Sequence, residues 1–180
     1  MDAQHHEFET GACDLIFSRF GVMFFQNPTA AFANLRKALR PDGRLTFICW
    51  RTPRENPWVA VPLSVAKRHV DWPEAPGADG PGEFAFADRA RFEDALSGAG
   101  FRIEAVESLD IDVTVGGGGG VKATIDFFMQ QGPAARVMGE ASEAQRDAVK
   151  AELEETLAPY LTRQGVRMTT GTWLVSAKVA

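Results

Sequence analysis

Few residues in this sequence are spaced for chemistry, and each has an ordinary structural use to weigh against it. "HHEFE" brings His5, His6, Glu7 and Glu9 within five positions. Neighbouring side chains in an extended segment point apart, and no second cluster completes a tetrahedral shell. The stretch therefore reads as solvated loop, and no metal is assigned. His69 stands alone and reads as a helix-surface residue. Cys13 and Cys49 lie in apolar, strand-like runs and read as buried reduced thiols. Neither has an evident His partner, and no Gly-x-Ser-x-Gly elbow is present, so covalent hydrolysis finds little support. Asp110 and Asp112 share one face of a predicted strand. They read as its wet side, not as an acid/base pair.

Five glycines at 116–120 follow a predicted strand and precede a helix, where phosphate loops sit. The run lacks the Lys-Ser/Thr of a P-loop, and position 121 is Val where a dinucleotide loop needs a small residue. A flexible hinge into a helical cover is the expectation. Residue chemistry alone therefore names no catalyst. A fold that binds a cofactor and positions a substrate leaves such a sparse pattern.

Composition fits that reading. The chain has 180 residues, 45% hydrophobic and 24% charged, which are globular values. A formal charge of −5 without a Lys/Arg block weighs against nucleic acid, which demands a concentrated basic face. No apolar run approaches the roughly 20 residues that span a bilayer, and no secretory leader is evident. A soluble, cytoplasmic protein is expected.

The elements that must position any site follow from periodicity. "ACDLIFSRF" at 12–20 is a short apolar strand, too apolar to face water. Asn27 and Pro28 open a helix with Phe32, Leu35, Ala38 and Leu39 on one face, and "RPDG" at 40–43 stops it. "RLTFICW" at 44–50 has the continuous apolar character of a strand buried on both faces. Asn56 and Pro57 start a helix to residue 70, with Pro62 expected to kink it or start a second piece. Residues 71–87 read as a surface loop, and Asp88 caps a helix that Gly100 ends. Residues 101–115 form a long strand whose second half alternates. A helical stretch ends at Gly132, and Ser142 with Gln145 makes a capping box. The helix it opens places Val149, Leu153, Leu157 and Leu161 on one side, and 172–180 is a last strand. The order β-α-β-α-α-β, helices, β predicts an α/β layered protein with a late antiparallel element.

The segments "DAQ", "ACDLIFSRFGVMFFQNPTAAFANLRKALRPDGRLTFICWR", "ENPWVAVP" and "FADRARFEDALSGAGF" together closely resemble class I S-adenosylmethionine-dependent methyltransferases. The resemblance is to the C-terminal portion of enzymes related to ubiquinone and menaquinone biosynthesis. It implies an α/β, partial Rossmann-like sheet whose strands lie in the family's order 4-5-7-6, the last antiparallel, with a helical cap. Residues 13–19, 44–50, 101–115 and 172–179 would be strands 4, 5, 6 and 7. The whole chain, 1–180, would be the C-terminal part of one domain, with cap helices at about 55–87 and 116–170.

The resemblance also implies the site. Asp2, Ala3 and Gln4 match the acidic loop whose carboxylate accepts from the adenine amino group. Ser18, Arg19 and Phe20 match the strand end whose backbone carbonyls lie near the methionine part. Met23 and Phe24 would wall the methyl-transfer site, and Trp50, Trp58 and Phe128 would complete a substrate pocket. Apolar residues of the cap (Val61, Phe84, Phe127 and Met129 besides) suggest a hydrophobic acceptor, although core packing explains them equally. The family's acidic-Gly-x-Gly loop after its first strand has no counterpart here. The chain alone is accordingly expected to bind S-adenosylmethionine poorly, with little or no turnover. Its partner would be a second copy, or a missing N-terminal half, that covers strand 13–19. A non-catalytic dimerisation or ligand-binding module is the alternative.

Overall fold

The computed structural model describes residues 2–71 and 80–180. In chain order the elements are β1 (Cys13–Arg19), α1 (Pro28–Ala38), β2 (Leu39–Trp50), α2 (Pro57–His69), α3 (Arg89–Gly98), β3 (Phe101–Val115), α4 (Gly120–Gln130), α5 (Gly132–Met138), α6 (Glu143–Leu157), β4 (Leu161–Thr162) and β5 (Gly165–Val179). The described residues divide into two compact units, one of 2–52, 80–109 and 171–180 and one of 53–71 and 110–170. β3 and β5 each give residues to both.

The sheet runs β1-β2-β5-β3, and β4 pairs with β5. β1 and β2 are parallel, while β5 is antiparallel to β2. This is the order and the late antiparallel strand expected for the four segments. In the first unit, Asn27 caps α1 by accepting from the Ala30 N–H at 3.0 Å, with Pro28 as the first helical residue. Asp88 caps α3 in the same way. The two helices bury Phe32, Leu35, Phe92 and Leu96 with Leu45, Phe47, Cys49, Val175 and Ala177 of the sheet.

β2 departs from expectation in two ways. It begins at Leu39 and not at 44, and "RPDG" bulges out of its pairing with β1 between Leu39 and Arg44. Asp42 takes a left-handed φ of 67° in that bulge, where its carboxylate meets Lys178 Nζ at 2.8 Å. Only one face of β2 is fully buried, since Thr46, Ile48 and Trp50 are half-buried. β1 departs further. It ends the sheet, and Leu15 and Phe17 are 56% and 57% exposed, although their apolar run read as a covered strand.

The second unit packs Val65, Ile125, Phe128, Val149, Leu153, Leu157 and Met168 together. Ser142 and Gln145 form the expected capping box on α6. Glu152 of α6 pairs with Arg68 and His69 of α2, and the hydrogen bonds from Arg68 first and His69 second hold its carboxyl below the usual carboxylate range. α2 continues unbroken through Pro62, which is buried. The pyrrolidine removes one backbone hydrogen bond, a cost that burial of its apolar ring helps to offset. The expected helical stretch ends at Gln130, two residues before Gly132, and Gly132 starts α5. Leu161 leaves the apolar line of α6 for β4 and is exposed. The expected loop at 71–87 lies partly outside the described residues, and from 80 it is a series of turns.

The glycine run is not a loose hinge. A Cβ on Gly116, whose φ is +68°, would lie 2.7 Å from the Thr124 backbone, and Gly165 meets Gly118 backbone just as closely. Buried Thr124 fastens the turn, its one hydroxyl proton shared between the Gly120 carbonyl at 2.9 Å and the Val115 carbonyl at 3.2 Å. Gly117, with φ +66°, has open space around it. Gly116→Ala should therefore destabilise by about 3 kcal/mol or more, through strain and backbone clash, against about 1 kcal/mol for Gly117→Ala. Urea unfolding of the two variants checks the difference, and equal losses would refute the close-packed turn.

Candidate functional site

The candidate site belongs to the first unit and is built from its N-terminal turn and the C-terminal end of β1. The turn closes when the His5 and His6 N–H groups donate to the Asp2 carbonyl at 3.2 and 2.9 Å. Within it, the Gln4 N–H donates to Asp2 Oδ1 at 2.9 Å. That backbone donor holds the Asp2 carboxyl below its ordinary value. Two side chains fasten the turn to α1. Asn34 Nδ2 donates to the Ala3 and His6 carbonyls at 2.9 and 2.8 Å, and Gln4 Oε1 accepts from the Asn27 N–H at 2.8 Å.

At the end of β1 the backbone turns sharply. Phe20 has φ 58°, a conformation that costs a bulky residue about 1–2 kcal/mol. Its N–H donates to the Ile48 carbonyl at 3.0 Å, and its ring stacks on Trp50 with centroids 4.0 Å apart and planes 12° apart. Gly21 follows, where a Cβ would come within 3.0 Å of Ser18 Oγ. The short turn Val22–Phe24 then buries Val22 and Met23 and leaves Phe24 46% exposed.

Between these parts lies an open cavity of about 570 Å³. Asp2, Ala3, Gln4, Ser18 and Phe24 line it, together with Ile16, Phe17, Gly21, Val22, Phe25, Gln26 and Leu35. Four of the seven residues expected at a cofactor thus share one depression. Arg19, Phe20 and Met23 adjoin it in sequence without lining it, and Met23 is 1% exposed within the core. Trp50 stands under Phe20. Trp58 belongs to the second unit, where its indole N–H donates to Asn56 Oδ1, and Phe128 is buried in that unit's core. Sequence reasoning missed Asn34, because nothing in a helix pattern signals a contact with a turn about thirty residues away.

Chemically, the cavity offers one carboxylate, a hydroxyl, two amides and apolar walls, and among the described residues no Lys or Arg lines it. Such a lining suits a ligand with N–H donors or positive charge better than a phosphate. Burial pushes the Cys49 thiol up to about 12, so it is no nucleophile, and Cys13 donates to the Ala38 carbonyl. Among the described residues no group of three or more His, Cys, Asp or Glu could hold a metal ion. No helix among them is long and apolar enough to cross a membrane.

Residues 1–47 match the family model described as a methyltransferase domain. No curated protein matches. Among solved structures, a putative methyltransferase from Bacillus halodurans aligns at TM-score 0.53 and 14% identity, covering 99% of this chain and 75% of that one. The YcgJ protein from Bacillus subtilis aligns at TM-score 0.48 and 12% identity, covering 98% and 68%. A geranyl diphosphate C-methyltransferase from Streptomyces coelicolor, solved with Mg2+, geranyl diphosphate and S-adenosyl-L-homocysteine, aligns at TM-score 0.44 and 13% identity, covering 100% and 53%. The chain therefore spans between about half and three quarters of the length of these structures. The family match falls on the segment that carries the sequence resemblance, and the likeness to the first structure gives the same α/β fold. The resemblance to class I methyltransferases holds at the level of a methyltransferase domain.

The Asp2 carboxylate is exposed, so its hydrogen bond to Gln4 can be read directly. A titration of its side-chain carbon by NMR should give a midpoint below the ordinary 3.8. Because the folded value is the depressed one, the turn gains from ionised Asp2 above the unfolded midpoint and loses that gain as pH falls through the folded midpoint. A midpoint at or above 3.8 would contradict the hydrogen bond.

Proposed function

We propose that this chain forms the adenine side and the acceptor side of an S-adenosylmethionine-dependent methyltransferase site acting on a small, hydrophobic acceptor. The observation that carries the reading is the meeting of Asp2, Ala3, Gln4 and Ser18 on one cavity at the carboxyl end of β1. Open α/β sheets bind ligands at the carboxyl ends of their strands. In this reading the Asp2 carboxylate accepts from the adenine amino group, and backbone N–H groups beside it meet the ring edge. The carbonyls of Ser18 to Phe20 face the methionine part, and Phe24 walls the reacting centre.

The residues fit such a ligand. Asp2 is an acceptor and, among the described residues, the only charged one in the lining, which favours an amino group and a sulfonium over an anion. A bound sulfonium supplies an already activated methyl group, so the chain's own work is to bind, orient and exclude water. No general base is assigned. Trp58 and Phe128 belong to the second unit, and their part toward the acceptor rests on the resemblance alone.

A second reading, a dimerisation or ligand-binding module without catalysis, is favoured by exposed Leu15 and Phe17 on the terminal strand of the sheet. It expects a homodimer by sedimentation that Phe17→Lys dissociates; a wild-type monomer at micromolar concentration ends it.

Calorimetry with S-adenosylhomocysteine tests the first reading. This chain should bind it, with a dissociation constant weaker than about 1 μM. Asp2→Ala should weaken that binding by about tenfold, the scale of one charge-assisted hydrogen bond. Saturating ligand without heat or chemical-shift change, or an unchanged affinity in Asp2→Ala, would refute the reading.

A further inference from the structure

Asn34 lies on α1, yet its side-chain amide is committed to the N-terminal turn. A primary amide has two N–H bonds, and Nδ2 spends them on the Ala3 carbonyl at 2.9 Å and the His6 carbonyl at 2.8 Å. Both partners are acceptors only, so the nitrogen must face them. The opposite end agrees, since Asn34 Oδ1 faces Lys37 Nζ at 3.4 Å. The two carbonyls flank the segment that places Gln4, and Gln4 in turn reaches Asn27 at the start of the same helix. One helix thus holds the turn at three points, and the turn carries Asp2 to the cavity edge.

We propose that Asn34 is a positioning residue: through the Ala3 and His6 carbonyls it sets the turn that presents Asp2, and with it the affinity of the cavity for an adenine-bearing ligand. The affinity part rests on the functional reading above. Asn34 itself does not line the cavity. It acts by removing the freedom of a segment that has no strand or helix of its own. A flexible turn would offer the same carboxylate in many orientations, and each misplaced one binds less well.

Asn34→Asp is the near-isosteric test. It removes both donors and sets a carboxylate against two carbonyl oxygens, with almost no change in volume. Asn34→Ala removes the donors without adding charge and favours the helix. Amide exchange of Gln4, His5 and His6 should rise by about tenfold in both variants, while amides of β2 and the thermal midpoint stay as in the wild type. The dissociation constant for S-adenosylhomocysteine should rise by about tenfold alongside. A merely structural role would lower the midpoint and loosen β2 as well. Unchanged exchange at residues 4–6 overturns the positioning role, and an unchanged dissociation constant overturns its link to affinity. A wild-type chain that fails to bind, with faster exchange in the variants, overturns the adenine reading while the hold on the turn stands.

Discussion

The first unit depends on a cluster of four phenylalanines. Phe32 of α1, Phe47 of β2, Phe92 of α3 and Phe86 of the turn before α3 are all fully buried. Their rings pack at centroid distances of 5.8 to 6.1 Å where Phe32 meets Phe47 and Phe86, and where Phe92 meets Phe47 and Phe86. Each ring contributes about 2–3 kcal/mol by burial, with smaller gains from edge-to-face geometry. The cluster joins three elements and one turn, so it fixes α1 against β2 in the register on which everything else rests. α1 then holds the N-terminal turn, and β2 holds β1. The two walls of the cavity thus share a single support.

The walls themselves are light by comparison. The N-terminal turn contributes Phe8 and Ala3 to the periphery of the core, and its order comes from hydrogen bonds. Asn34 and Gln4 supply those bonds from side chains, because a short turn has no sheet ladder to satisfy its carbonyls. β1 is held along one edge by β2 and gives the other edge no strand among the described residues. Leu15 and Phe17 share one face of this strand and show it to solvent.

Legibility in the sequence followed the range of the interactions. Asn27-Pro28, Asp88 and the Ser142–Gln145 box were readable because a cap and its partner lie within three residues. The strand order followed from the resemblance and not from periodicity, since parallel pairing leaves no local mark. The polar first half of β5, "GVRMTTG", gave no strand signal; it is held by its neighbours, with Thr170 donating to the Ile111 carbonyl and Thr172, just beyond it, to the Leu109 carbonyl. The glycine run misled for a related reason. Five glycines permit flexibility, but whether they use it depends on what approaches them, and Thr124 and Gly165 come from elsewhere. Of the candidate cavity, Asp2, Ala3, Gln4 and Ser18 were singled out through the resemblance, whereas the Asn34 amide that holds the turn was invisible until α1 had a neighbour.

Phe20 shows how the fold and the site constrain one another. A left-handed Phe is costly, and a glycine one residue later could have made the turn freely. The Phe is retained with two compensations, a hydrogen bond to Ile48 and a flat stack on Trp50. Both partners belong to β2, so the turn after β1 is fixed by the same strand that the phenylalanine cluster fixes. Backbone strain held in place by rigid neighbours is a device for presenting peptide groups in one orientation. A site that works by holding a pre-activated group needs such orientation more than it needs an acid or a base. Under the proposed reading, that suits a cavity whose lining among the described residues holds one carboxylate and no other charged group.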